Sequence, residues 1–308
     1  MTTTVRRRPA IAVATAAAAD LCEALGLPLP FAARPGAVGL LAPPVLLRAA
    51  DGWVHPGPPT AWDDFAAMVG TLGAHGTVTR EGMSFPDVST LDAEVVDREA
   101  GAWLLPAVAV RSAPATAPAV PVVPAGASAR GAHVVVLGFA WAVPLAGLVL
   151  RALGADVTRV VDSRRVDPFP LRDALARDQA EVPLDLGRGE GTDRMAALLR
   201  RADLLVDGTT PRVLGNVGLG DATARTVRIA AFAADDRPGY GIAAEARGGW
   251  AARHDPPRLG RSSVADPIGG LLAALAAVLA LQAAPGADAR VSLESAVGHL
   301  LAREHADG

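Results

Sequence analysis

The sequence of 308 residues contains no lysine, so all 29 residues of its Lys+Arg total are arginine. That absence excludes a Schiff-base lysine, a covalent pyridoxal phosphate site and the lysine of a Walker-A phosphate loop. One cysteine, Cys22, excludes an internal disulfide and any cysteine-cluster zinc site, and points to the cytoplasm. Charged residues are scarce at 20% and aromatics at 4%, against 51% hydrophobic residues. Global disorder is thereby excluded, because the apolar mass suffices for a large core. A formal net charge of −3 gives no electrostatic footprint for nucleic acid. Clean apolar runs of about 20 residues are also missing. Val134–Leu150 is broken by Gly138, Pro144 and Gly147, and Ile268–Ala284 carries Gln282. Both read as buried elements, and no membrane association is expected. The basic cluster at Met1–Arg8 leads into a weak apolar run cut by Asp20 and Glu23, which does not read as a secretory signal.

What is present divides the chain in two. Arg111–Arg130, RSAPATAPAVPVVPAGASAR, is rich in Pro, Ala and Ser without amphipathic period and reads as an extended linker. The expected division is a small α+β domain at 1–110, a linker at 111–131 and a large domain at 132–308. Upstream, Ala14–Leu25 has helical spacing closed by Gly26. Asp51-Gly52 is a turn into Trp53-Val54, and Thr60–Asp63 is a near capping box opening a helix through Trp62, Phe65 and Met68. Downstream, apolar strands at His133–Leu137, Val157–Val161, Asp203–Val206 and Val227–Phe232 alternate with helices at Pro144–Leu153, Glu190–Arg201, after Pro211, at 242–250, and around 267–283 and 292–304. Alternation of this kind predicts α/β architecture: a parallel-sheet, Rossmann-like large domain with the smaller α+β domain at the N-terminus.

Familiar chemical motifs are missing. The turn after His133–Leu137, Gly138-Phe139-Ala140-Trp141-Ala142-Val143-Pro144, has one glycine where a dinucleotide fingerprint needs three. Gly187-Arg188-Gly189-Glu190-Gly191 lacks a following Lys-Ser/Thr and reads as a loop into a helix. No nucleophile elbow and no His-Glu-x-x-His helix occurs, and no metal site is legible. His254-Asp255 stands in a polar loop between helices, either as a functional pair or as a solvated one.

Several segments in order carry a resemblance. They are Val134–Val161 with its Leu-Gly-Ala-Asp-Val turn, Leu184–Gly220 with its Gly-Leu-Gly end, and Val227–Trp250 with Arg-Pro-Gly-Tyr. A fourth comprises Ser263–Leu281 with Ala289–Leu301. Together they resemble the family III CoA-transferases, the carnitine and formyl-CoA transferase group. Leu46–Leu72 and Leu105–Arg111 are similar to that family's small domain, which follows the large one there and precedes it here. The resemblance implies a homodimer and a small-molecule partner, either a carboxylic acid or an acyl thioester. It also implies an Asp nucleophile that attacks the acyl-CoA and cycles through mixed-anhydride and aspartyl-CoA species.

The chain departs from the pattern at the centre of that chemistry. The Asp that follows Arg-Pro-Gly-Tyr in the family is Gly241 here, which has no side chain to attack with. The stretch that contacts CoA reads Gly208-Thr209-Thr210-Pro211, and a downstream Arg is replaced by Asn216. The usual grip on CoA or acyl-CoA is weakened, and no covalent cofactor is implied. Candidate catalytic groups are Glu245, one helical turn beyond Gly241, with Asp235, Asp236, His254 and Asp266. Glu245 is alternatively a residue of an exposed face, and Asp266 a helix N-cap. Arg237, Tyr240, Gly241 and Trp141 are the candidate substrate-binding positions, Arg237 and Tyr240 having turn formation as their alternative. Three functions remain: an acyl-CoA enzyme of this family, a repurposed fold doing acid–base chemistry such as dehydration, isomerisation or cyclisation on a non-CoA substrate, and a non-catalytic partner subunit.

Overall fold

The structure is a computed structural model that describes residues 10–27, 44–120, 122–124, 126–164, 171–220, 225–284 and 286–306. The chain begins with helix α1 (Ala10–Ala24). A small unit follows, made of β1 (Leu47–Arg48), β2 (Trp53–His55), α2 (Trp62–Thr71), β3 (Thr77–Arg80), β4 (Met83–Pro86), α3 (Ala93–Ala102) and β5 (Val108–Ala109). Strands β1, β2 and β5 form an antiparallel sheet, and β3 and β4 a hairpin. Phe65, Met68, Phe85 and Val96 fill its core. The Thr60 capping box is not used: Pro59–Ala61 form a 3-10 turn, and the residue before α2 makes no side-chain cap.

The large unit contains β6 (His133–Leu137), α4 (Ala142–Ala152), β7 (Asp156–Asp162), α5 (Arg172–Leu175), β8 (Ala180–Leu184) and α6 (Gly189–Arg201). It continues with β9 (Leu204–Asp207), α7 (Arg212–Asn216), β10 (Thr226–Ala230), α8 (Gly241–Arg247), α9 (Ala265–Gln282), β11 (Asp288–Ser292) and α10 (Leu293–Ala306). Its six strands lie in the order β11-β10-β9-β6-β7-β8, all parallel. The period of two along β6 explains the continuous apolar run. Val134 and Val136 face one core with α4, α9, α10 and α1, while Val135 and Leu137 face the other with Met195, Leu199 and Leu214.

Helix α9 is the only helix among the described residues with the length and apolar composition to cross a membrane, and 67% of it is buried inside the fold. It packs on α4 so closely that a β-carbon at Gly270 would lie 2.7 Å from the Ala142 carbonyl oxygen.

Helix α1 does not join the small unit that precedes the linker. Its Val13, Ala17, Leu21 and Cys22 are buried in the large core. The described part of the linker is also held in place. Arg111 and Ala115 donate backbone hydrogen bonds to Ala246 and Gly248 at 3.2 and 3.0 Å. Gly298 leaves the room that the carbonyl of Ala115 requires.

Candidate active site

Reading the strand order outward from β6, the sheet runs to β7 and β8 on one side and to β9, β10 and β11 on the other. The direction of winding therefore reverses between β6 and β9, and loops leaving neighbouring carboxyl ends diverge to open a crevice there. A cleft of about 890 Å³ occupies that place, lined by Leu137–Val143, Gly208–Pro211, Ile229–Ala231, Asp236–Tyr240 and Asp266. Gly138, at φ 152°, lies against Val143, and a β-carbon at Gly208 would overlap the same valine. These two glycines let the loops after β6 and β9 close on each other. Buried Asp207 fixes the second loop by accepting hydrogen bonds from Thr209 N at 2.8 Å and Thr209 Oγ1 at 2.7 Å. A shallower groove of about 400 Å³ between α9 and β11 holds none of the candidate residues.

Asp266 stands in the first turn of α9, partly buried, on the wall of the cleft. The N-cap position of that helix is Val264, so Asp266 is not the cap expected of it. Its carboxylate accepts a hydrogen bond from Gly241 N and shares the one Ser263 hydroxyl proton with Glu245, and burial nevertheless pushes its pKa up to about 6. A β-carbon at position 241 would overlap Asp266 Oδ2 and Ser263 Oγ. The space of the missing side chain at Gly241 is thus filled by a carboxylate from another helix.

Glu245 lies one turn along α8 from Gly241, as its spacing predicts, but the face is not exposed. The side chain is fully buried and absent from the cleft lining. Glu245 Oε1 accepts from Ser263 Oγ at 3.0 Å, Val264 N at 2.7 Å and Ala265 N at 3.1 Å. A side chain of α8 thereby satisfies two of the unpaired amides that open α9. Glu245 Oε2 is buried without a hydrogen-bond partner. Burial, outweighing these donors and reinforced by the Asp266 charge, pushes the Glu245 carboxyl up to about 7.

The other candidates fall elsewhere. The Arg237 guanidinium is buried between the two units, although the residue borders the cleft. It donates to the carbonyls of Asp97 at 2.9 Å and Ala107 at 3.0 Å, pairs with the Asp97 carboxylate, and lies 4.9 Å over the Phe232 ring. A ligand of carboxylate chemistry is already present in Asp97, so Arg237 is a clamp and not a substrate anchor. Asp235 is drawn into ion pairs with Arg237 and Arg247. Asp236, at the rim, pairs with Arg290 at 2.6 Å. Exposed His254 follows a 3-10 turn and takes no part in the cleft lining. Tyr240 and Trp141 do line the cleft, and Gly241 contributes its amide to Asp266.

Two cleft residues escaped the sequence reading. Phe139 meets Tyr240 edge-to-face with centroids 6.2 Å apart. Arg228, on β10, lines the cleft beside Asp207 at 3.5 Å and has a buried Nη1 without a hydrogen-bond partner. An aromatic in a strand-to-helix turn of an aromatic-poor chain was a usable signal for Phe139; Arg228, one arginine of 29, offered none. Among the described residues no cluster of three His, Cys, Asp or Glu side chains is placed to hold a metal ion.

Comparison with known proteins agrees with this architecture. The family model described as CoA-transferase family III matches residues 130–306. A crystal structure of a hypothetical protein, Rv3272, from Mycobacterium tuberculosis is 21% identical, with 58% of each chain covered and a TM-score of 0.51. A CAIB/BAIF family protein from Brucella suis is also 21% identical over 58% of this chain and 56% of that one, with a TM-score of 0.48. The chain thus spans less than two thirds of the length of either neighbour.

Proposed function

The chain belongs to CoA-transferase family III, and from that premise we propose that it moves an acyl or CoA group between a thioester and a carboxylic acid, with Asp266 as the nucleophile. The observation that carries this reading is the carboxylate of Asp266 occupying the place of a side chain at Gly241, on the wall of the cleft. In this cycle Asp266 attacks the thioester carbonyl carbon, the C–S bond breaks, and the thiolate leaves a mixed anhydride on the aspartate. The thiolate then attacks the Asp266 carbonyl carbon and releases the acyl group as a carboxylate. An acceptor carboxylate attacks the resulting aspartyl thioester, and the returning thiolate takes the new acyl group while Asp266 is freed. A carboxylate of pKa about 6 is largely ionised at neutral pH, yet more basic than an ordinary aspartate.

The cleft also suits a phosphorylated substrate. Gly208–Thr210 supply no cation, but Arg164, Arg172 and Arg228 line the same space, and guanidinium groups match phosphate oxygens in charge and geometry. The reading extends to a cytoplasmic homodimer, with sedimentation of the purified chain as the check on assembly.

The test is incubation of the protein with acetyl-CoA and a carboxylate acceptor, with product and intact protein mass both followed. The expected result is transfer, an adduct on wild type that disappears in Asp266→Asn, and loss of turnover in that variant. Unchanged turnover in Asp266→Asn overturns the assignment. A second reading, proton transfer on a non-CoA acid, draws on the two carboxyls raised to about 6 and 7. It requires turnover that depends on Asp266 without any adduct.

A further inference from the structure

We infer that Phe139 and Tyr240 form a subsite for an aromatic acyl group at the mouth of the cleft, so that the transferred acid is an arylalkanoic acid instead of a short aliphatic one. This rests on the transferase reading for the identity of the bound group, but the subsite itself stands on geometry. Aromatics are only 4% of the chain, and large apolar side chains are seldom left in water without a use when they cluster. Phe139 is 46% exposed and Tyr240 38% exposed, and both line the cleft together with Trp141. The rings of Phe139 and Tyr240 meet at 70°, an edge-to-face arrangement in which each ring leaves a face open to a third.

The backbone holds this arrangement at a cost. Phe139 stands between Gly138 at φ 152° and Ala140 at φ 66°. A left-handed alanine is strained, and strain of that kind is maintained where a side chain must be aimed. Gly138 is pressed on Val143, so the loop cannot relax toward the helix without displacing α4. On the other side, Tyr240 is extended, at φ −134° and ψ 169°. Position 241 faces Ser263 and Asp266, and Tyr240 faces the cleft. Tyr240 thus directly precedes the amide that holds the Asp266 carboxylate, it shares the cleft lining with Asp266, and Phe139 meets its ring. That proximity assigns the rings to the group next to the reacting carbonyl, the acyl chain, instead of to a distant part of a larger substrate.

The experiment is calorimetric titration of the full chain with phenylacetate, cyclohexylacetate and acetate, followed by transfer assays with phenylacetyl-CoA and acetyl-CoA. We expect phenylacetate to bind at least tenfold more tightly than acetate, with cyclohexylacetate between them. Phe139→Ala and Tyr240→Ala should each weaken phenylacetate about tenfold and lower the preference for phenylacetate over acetate, and Tyr240→Phe should retain the wild-type preference. Both side chains are exposed enough that truncation leaves the core intact, which a thermal melt of each variant checks. Equal affinity for phenylacetate and acetate in the wild type, or a phenylacetate affinity indifferent to both alanine variants, overturns the subsite. Selective phenylacetate binding without any transfer overturns the transferase reading and leaves the subsite standing. Transfer that proceeds equally from both thioesters, with no binding preference, does the reverse.

Discussion

Glu245 and Asp266 are two carboxyl groups joined through one hydroxyl. Ser263 Oγ lies 3.0 Å from Glu245 Oε1, accepts the Asp266 amide at 3.2 Å, and hydrogen-bonds the Asp266 carboxylate. A single hydroxyl proton serves one carboxylate at a time, and both groups are held above the ordinary carboxylate range by burial. Asp266 faces the cleft, while Glu245 stands behind it and reaches only the turn that presents Asp266.

The first consequence is a stability that falls as pH rises. Glu245 moves from an ordinary value of 4.5 to about 7 on folding, so the native state holds a proton that the unfolded chain releases. Stability is greatest below about pH 4.5 as far as this group is concerned, declines between there and pH 7, and then levels off. The whole effect is roughly 3 kcal/mol at 1.36 kcal/mol per unit. Glu245→Gln should remove its share of this slope. Urea melts of both proteins at pH 5 and pH 8 measure the difference.

Activity should run the other way. As the proposed nucleophile Asp266 is needed ionised, and with its pKa raised to about 6 kcat/KM should fall about tenfold per unit as pH drops below that value. Glu245→Gln should leave an active enzyme with the midpoint close to its wild-type place, because Glu245, raised to about 7, is already neutral where Asp266 titrates. A midpoint that falls in the variant would show Glu245 charged while Asp266 titrates and would overturn that order.

Restoring a side chain at position 241 should not restore anything. Gly241→Asp adds a carboxylate where Asp266 and Ser263 already lie, and overpacking a filled site costs typically 1–3 kcal/mol before any charge repulsion. A lower melting temperature and no gain in turnover are expected. A gain in turnover would show that Asp266 yields the space readily.

The contact between the two units depends on Arg237 and Asp97, whose side chains are 2% and 4% exposed. Asp97→Ala leaves a guanidinium buried with only backbone carbonyls and Asp235 around it, a loss of about 3–5 kcal/mol. The double variant with Arg237→Met should recover much of that loss. Denaturant midpoints of the two single variants and the double variant give the coupling directly.

The apolar periods of the chain were enough to announce a parallel α/β unit, since a strand buried on both faces must read as a continuous hydrophobic run, as His133–Leu137 does. They were not enough for β8 and β11, which border the sheet. Ala180–Leu184 is exposed over most of its length and Asp288–Ser292 at alternate residues, and both carry charged side chains, so neither shows the signal of a central strand. Strand β3 and the helix α3 were missed because they are polar over much of their length, and β4 because Met83–Pro86 is too short to show a period. Helix α1 was legible as a helix, but its partner was not, because periodicity says which face is apolar and nothing about which core receives it.

The sequence by itself determined the absences: no lysine chemistry, no cysteine pair, and no side chain at Gly241. It also brought Glu245 and Asp266 forward as carboxylates worth locating. Only the tertiary structure decided between them, since the turn at Ser263–Ala265 folds back on α8, burying Glu245 beneath the helix and leaving Asp266 on the cleft wall. The same is true of Arg237, read as a substrate anchor from its place in a loop, and captured by Asp97 from a segment 140 residues away. Charge and spacing are local properties of a chain, whereas which charges meet, and which of them water can still reach, depends on contacts between distant segments that only folding makes.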